Sequence, residues 1–486
     1  MVQSTTLQKF PHVHDDPASL PRSLDPFTIT TSTGFLPYAT SPTTLPDVFK
    51  PLLSLLQRLS VVREDGAPGL LGEYKLGPAV LAELPDLTAH IEDVVTPEGD
   101  KDLFTITALF RDYSFLASSY LLEPCWENWS KNPDGGYGIG REVLPKSVAG
   151  PMCRCAELLD IPPFLSYAGA YALFNYHLAD PSQGLVYPNL RLVRAFERGL
   201  DPKSSEAGFI LTHVDMVKHS AELVSGAVKV IDTMETGGAR NEVNEGFREI
   251  LRSMERIEAS MEDMWANSKP AEYLRFRVFI FGITNQAMFP NGVVYEGCYD
   301  NKPLNFRGES GANDSMIPLL DHVLQIPMPS TPLTKILHEF RAYRPLPHRE
   351  FLAHINATAE KLRVPDYAVQ DSETAVLFLK TLDHVRSFRW RHWLFAREYI
   401  IRRTPYPTAT GGSPIVTWLP NQLSAVMDMM ISIYDTYLAP NSKSNLAANG
   451  NSTEHSKQIE PMMETVRDQR EKLAKEVERW CKERGV

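Results

Sequence analysis

A mainly α fold is predicted, with one large helical domain and a smaller N-terminal α-rich part, and three observations predict it. Apolar residues recur at three- and four-residue spacing through most of the chain after residue 45. Prolines and glycines fall between these stretches, where helices start and stop. Strand signals are few, the best being "GVVYEGCYD" at 292–300.

Taken in order, the stretch up to residue 45 is rich in Pro, Ser and Thr and reads as extended, with 1–24 as an N-terminal arm. A small domain is expected over 25–150, carried by "LPDVFKPLLSLLQRLSVV" and "FTITALFRDYSFLASSYLL". A large domain follows over 151–438. "KSVAGPMCRCAELL" leads into it, "FILTHVDMVKHSAELVSGAVKVIDTM" reads as one long helix, and the stretch after Gly237-Gly238 reads as another. "ETAVLFLKTLDHVRSFRWRHWLFAREYII" is a further helix. Residues 439–458 are polar and read as a flexible loop. Beyond them, over 459–486, Met463, Val466, Leu473, Val477 and Trp480 form an apolar stripe on a charged helix that should dock on the body.

Composition narrows the function classes. The chain has 486 residues, 43% apolar and 22% charged, within the ordinary globular range. A net charge of -11 with no basic stripe argues against a nucleic-acid partner. No apolar run reaches the ~18 residues of a membrane helix. The start, "MVQSTTLQKFPHVHDD", has no apolar core of a secretory signal, so a cytoplasmic protein is expected. Cys125, Cys153, Cys155, Cys298 and Cys481 lack zinc spacing and read as reduced thiols.

Among thirteen histidines, one position stands out. In "YRPLPHREFL" (343–352), Pro345 and Pro347 fix the backbone around His348 at the first turn of a helix. The positive end of the helix dipole disfavours an imidazolium, so the ring should be neutral with a free lone pair. No H-E-x-x-H or zinc cluster accompanies it. His213 and His219 do not share a helix face, and packing or surface roles suffice for His384 and His392. A metal held by one protein ligand must bring its own coordination sphere, as haem does. A terpene cyclase is disfavoured because the adjacent acids Asp15 and Asp16 lie in the arm. "GGYGIGRE" (135–142) lacks a nucleotide-loop context, and no G-x-S-x-G of a hydrolase is present. "YLRFRVFIFG" (273–282) sets Arg275 and Arg277 among aromatics, where one could turn inward to grip a carboxylate. The Gly- and Ser-rich loops in 291–314 and "TATGGSP" (408–414) suit close approach to a ligand. Together with His348 they suggest a pocket for a small carboxylate-bearing molecule beside a haem.

These blocks resemble the indoleamine 2,3-dioxygenase family, especially its fungal branch. The resemblance runs from about 25 to 435 through "GFLPYATSPTTLPD", "SFLASSYLL", "PPFLSYAGAYALFNY", "LRFRVFIFG", "GVVYEG", "FRGESGA", "HREFL", "RHWLFAREYII" and "ATGGSP". It implies one haem b per chain with His348 as the proximal iron ligand. It implies Asp321 as an acid beside that ligand and the haem edge, with Gly308 and Ser310 on a loop beside the haem. Arg277 would grip the substrate carboxylate, and Tyr120 and Phe209 would wall the distal pocket. Thr410 and Gly411 would belong to a loop closing over the substrate's amino-acid end. His213 stands where mammalian members carry a distal serine, and could accept the indole N–H or steady oxygen; the alternative is that it points into a helix interface. Glu272 stands where the family often has an aromatic, for which Tyr273 could compensate. The implied activity is insertion of O2 across the indole C2–C3 bond of L-tryptophan to give N-formylkynurenine, the entry to tryptophan catabolism by the kynurenine pathway. A monomer is expected, with an electron donor to keep the iron ferrous. The rival readings are the same scaffold oxidising another indole in secondary metabolism, and a non-catalytic haem-binding protein.

Overall fold

The computed structural model describes residues 10–328, 332–439, 442 and 450–484. The first helices are α1 (Lys50–Gln57), α2 (Leu76–Glu83) and α3 (Leu103–Lys131). Asp102 caps α3, its carboxylate accepting from the backbone N–H groups of Phe104 and Thr105. Nearly every side chain from Phe104 to Trp126 is buried, so α3 is a helix covered on all sides. Its polar members are paired inside: Arg111 donates to Asp112 at 2.9 Å, and Arg194 to the same carboxylate at 2.7 Å.

α3 packs on α4 (Lys146–Leu159), across the boundary expected near residue 150. One apolar cluster runs from Phe10 to Leu473 and does not divide there. The reason is physical: a helix apolar all round must be covered from both sides. The arm is likewise docked from residue 10 onward. Phe10 is 4% exposed and packs edge-on against Phe351 and His354. Residues 1–9 of the expected arm lie outside the described residues.

The stretch expected as one long helix is two, α5 (Ser205–Val217) and α6 (Ser220–Glu235), broken at Lys218 and His219. The break is where the N-terminal segment enters. The Ser220 hydroxyl accepts from the Phe35 backbone N–H at 2.8 Å, and Gly34 sits so close that a Cβ there would lie 2.4 Å from it. The Ser253 hydroxyl takes the freed His219 carbonyl. α6 lies along α7 (Arg240–Glu262), and two short helices follow, α8 (Met264–Asn267) and α9 (Tyr273–Arg277).

Sheet is confined to short ladders. β1 (Val143–Leu144) pairs in parallel with β4 (Val293–Tyr295), inside the stretch expected as a strand, and β4 pairs antiparallel with β5 (Pro303–Leu304). β2 (Tyr176–Leu178) and β3 (Leu190–Leu192) make a separate antiparallel pair.

The second half holds α10 (Met316–Val323), α11 (Pro332–Arg341), α12 (Leu346–Leu362), α13 (Val364–Ala368), α14 (Ser372–Phe395) and α15 (Ile415–Ile433). α10 packs on α12, and both pack on α6. The last helix, α16 (Gly450–Arg484), begins inside the segment expected as a loop, of which residues 440–449 lie outside the described residues except Ser442. Helix propagates cheaply once nucleated, and nucleation comes from docking: Ile459, Met463, Val466 and Leu473 are buried against α14 and α15. Glu476 ties the helix down, accepting from the Trp393 indole N–H at 2.7 Å and pairing with Arg397 at 2.9 Å. No helix among the described residues is long and apolar enough to cross a membrane.

Candidate active site

A cavity opens among α5, α7, α14, α15 and the loops around 309–314 and 409–413. Its walls are mostly apolar, including Phe209, Met216, Met261, Phe388, Phe395 and Leu419. A second chamber adjoins it, the two sharing Gly311, Asp314, Phe388, His392 and Leu419. Concave, mainly apolar space with a few polar groups is the usual form of a small-molecule site.

His348 is in the first turn of α12, with Pro345 at the cap and Pro347 inside the turn, as the sequence indicates. It is 1% exposed, between the rings of Phe27 and Phe35 at 5.5 and 4.9 Å. Its Nδ1 meets the Ser315 hydroxyl at 3.0 Å, while Nε2 is buried with no partner among the described residues. Burial, aided by the Arg344 cation, pushes its pKa down to about 3, so the ring is neutral. His348 is not itself in the cavity lining. Ser315, which holds it, follows the lining residue Asp314, and Arg344, one turn before it, lines the second chamber.

Asp321 is in that second chamber but does not orient the imidazole, which Ser315 does instead. The Asp321 carboxylate is taken by Arg389 at 2.7 and 2.8 Å, and burial raises its pKa against that pairing. Arg341 and Arg344 line the same chamber, and the Arg344 guanidinium bonds only backbone carbonyls of Ala312, Asn313 and Asp314. The chamber is thus cationic.

On the other side, His213 lines the first cavity from α5 rather than a helix interface. Its Nδ1 is 2.8 Å from the Phe209 carbonyl, which assigns the proton to Nδ1 and leaves Nε2 as an acceptor. Burial lowers its pKa. Phe209 stacks against it at 4.8 Å and also packs on Tyr273. Tyr273 supplies aromatic wall, whereas Glu272 turns away to the Ser205 hydroxyl at 2.6 Å. Ser310 and Thr410 are in the lining, and the Thr410 hydroxyl donates to the Glu309 carbonyl at 2.7 Å.

Besides His348, four of the expected residues stand outside the lining. Tyr120 is buried in α3 under the Arg141 guanidinium, at 4.6 Å. Gly308 packs on backbone, where a Cβ would lie 2.2 Å from the Gly282 nitrogen. Gly411 abuts the Phe340 ring and Ser310. Arg277 is one turn beyond Tyr273, 0% exposed; Nη2 donates to the Thr408 carbonyl at 2.9 Å and the guanidinium lies over the Phe281 ring at 4.6 Å, while Nε and Nη1 have no hydrogen-bond partner among the described residues.

Three polar residues were missed by sequence reasoning. Ser315 orients His348. His392 lines both chambers from α14, its pKa pushed down to about 4 by burial with help from His213 and Arg389. Glu309 is 4% exposed, lines the first cavity, and is raised by burial to about 8. The helical spacing of Phe388, His392 and Phe395 was the available signal for His392, and a lone acid in "RGESGAND" was the one for Glu309. Among the described residues no three His, Cys, Asp or Glu side chains converge to hold a metal by themselves.

The family model described as indoleamine 2,3-dioxygenase matches residues 23–415, spanning all of these elements up to the start of α15. The chain belongs to the indoleamine 2,3-dioxygenase family. Similar members include indoleamine 2,3-dioxygenase 1 of Rattus norvegicus, 27% identical over 268 residues, 54% of this chain and 63% of the relative. The indoleamine 2,3-dioxygenase of Saccharomyces cerevisiae is 25% identical over 363 residues, 68% of this chain and 74% of the relative. A 6-hydroxytryptophan 2,3-dioxygenase of Fusarium equiseti is 26% identical over 219 residues, 44% of this chain and 52% of the relative. The match thus spans less than two-thirds of the rat relative's own length. His348, His213, Arg277, Ser310 and Thr410 all fall inside the family match.

Proposed function

We propose that this indoleamine 2,3-dioxygenase family member is a haem-dependent dioxygenase that inserts both atoms of O2 across the indole C2–C3 bond of L-tryptophan, giving N-formylkynurenine. The observation that carries it is His348: a fully buried, neutral imidazole with Nδ1 held by Ser315 and Nε2 without a protein partner. Such a ring would suit holding a haem iron, because a hydrogen bond at one nitrogen leaves the lone pair of the other for the metal. The cationic second chamber, with Arg341 and Arg344, suits the carboxylate edge of haem. Haem at His348 would supply the redox-active iron through which dioxygen is activated.

The chain's own contribution is binding and orientation. Phe209 and Tyr273 give aromatic surface for the flat indole ring. His213 Nε2, with its proton fixed on the other nitrogen, accepts the indole N–H and turns the ring edge in one direction. Arg277 brings two buried, unpartnered nitrogens for a carboxylate, and Thr410 closes the loop beside it. The apolar wall excludes water from the reacting ring.

The test is mass spectrometry after mixing haem-loaded, ascorbate-reduced protein with L-tryptophan under ¹⁸O2. The expected product carries two labelled oxygens. A normal haem spectrum with no product from L-tryptophan, but product from another indole, would favour the second reading, a biosynthetic indole dioxygenase. His213 in the lining motivates that reading, since it lets the cavity accept a polar ring substituent.

A further inference from the structure

The first cavity contains an acid that the reaction as described does not use. Glu309 lines it, and its carboxyl accepts no hydrogen bond among the described residues. Its backbone is fixed on two sides, by the Thr410 hydroxyl at 2.7 Å from its carbonyl and by the backbone contact of Gly308 with Gly282. The residue is 4% exposed, so its carboxyl is kept from bulk solvent. Arg277 presents the opposite case: a guanidinium at 0% exposure whose polar partner is one carbonyl, with no carboxylate in ion-pair distance among the described residues. The two groups do not pair with each other. Both meet the 408–410 segment, Arg277 donating to the Thr408 carbonyl at 2.9 Å and the Glu309 carbonyl accepting from the Thr410 hydroxyl at 2.7 Å. Arg277 keeps a buried charge with two nitrogens that have no hydrogen-bond partner among the described residues, and Glu309 is a buried acid facing the cavity; a ligand carrying both a carboxylate and an ammonium would satisfy both.

We propose that Glu309 binds the α-ammonium of a free amino-acid substrate, so that with Arg277 on the carboxylate the site recognises a zwitterion. The proposal rests on the tryptophan reading for the indole portion and adds the recognition of the head group. It makes Glu309 a specificity-determining residue: indoles lacking the amine, and tryptophan blocked at nitrogen within a peptide, are disfavoured. Burial keeps the Glu309 carboxyl largely protonated at neutral pH in the free protein, so an arriving ammonium ionises it and one proton leaves to buffer. The Tyr167, Tyr171 and Tyr273 hydroxyls interact electrostatically with this carboxyl and, raised by burial, are silent in this range, while His213, His392 and Asp314 line the same cavity.

The test is calorimetric binding of three probes to haem-loaded protein and its Glu309→Gln and Glu309→Asp variants. L-tryptophan carries both charges, tryptamine only the ammonium and indole-3-propionate only the carboxylate. Glu309→Gln should weaken L-tryptophan and tryptamine roughly ten- to hundredfold and leave indole-3-propionate within about twofold, the size of one charge-assisted hydrogen bond. Glu309→Asp should restore part of the loss. Repeating the titration in two buffers of different ionisation enthalpy should show proton release with L-tryptophan in the wild type and none in Glu309→Gln. Equal weakening of all three probes would overturn the proposal, placing Glu309 against the indole ring or in a structural role. Unchanged binding of all three would overturn it as well. Because binding is read without turnover, failure of the dioxygenase reading shows separately, as absence of labelled product with binding intact.

Discussion

Glu309→Gln also alters the pH dependence of stability, and the size of the effect follows from the site. Burial raises the Glu309 carboxyl from the usual 4.5 to about 8. Below pH 4.5 the acid is protonated in folded and unfolded chains alike and contributes no difference. Between 4.5 and 8 the unfolded chain gives up its proton while the folded chain keeps it, so stability falls as pH rises. At about 1.36 kcal/mol per pH unit, the loss between pH 5 and pH 8 integrates to roughly 3 to 4 kcal/mol. Glutamine does not titrate and has no such slope. Glu206 is raised to about 8 as well, while accepting from the backbone N–H groups of Phe196 and Glu197, and adds a slope of the same sign. The difference between wild type and variant removes that second acid. Urea unfolding at equal haem loading, at pH 5, 6, 7 and 8, should show the variant gaining on the wild type steadily toward alkaline pH. Curves that stay parallel within about 1 kcal/mol would show that Glu309 is not held as a neutral buried acid, and would refute the reasoning.

Other substitutions probe the remaining parts. His348→Ala should abolish haem retention, read as loss of the Soret band after gel filtration, whereas Ser315→Ala should retain haem with affinity lower by roughly ten- to hundredfold. Arg277→Ala should raise KM for L-tryptophan by roughly tenfold or more with the haem spectrum unchanged, since it removes a charge-assisted contact to substrate. Leu473→Ala, at a 0% exposed position on the docked face of α16, should cost about 2 to 5 kcal/mol by chemical denaturation. A loss under 1 kcal/mol there would mean that α16 docks through Glu476 instead.

Much of the fold was legible because it depends on local periodicity. The stripe of Met463, Val466 and Leu473 predicts a docked helix, and those three side chains are buried. Pro345 and Pro347 place His348 in a first turn, where it is found. The misses came from long-range contacts. The break between α5 and α6 is imposed by Phe35 and Gly34, some 185 residues away in sequence. The resemblance implies Asp321 as an acid beside His348 and the haem edge; its carboxylate is taken by Arg389 from α14. The resemblance implies Tyr120 as a wall of the distal pocket; in the structure it lies under Arg141.

By itself, then, the sequence determines a mainly α protein with one rigidly placed neutral histidine and a set of loops fit to approach a ligand. Proline geometry, helical spacing and glycine freedom act over a few residues, and so they can be read from a few residues. Tertiary structure alone decides which polar groups share a cavity. Glu309, His213 and His392 come from a loop, α5 and α14, and only packing places them around one space. Their protonation is decided there too, because desolvation by the assembled core, rather than any neighbour in sequence, pushes the carboxyl up and the imidazoles down.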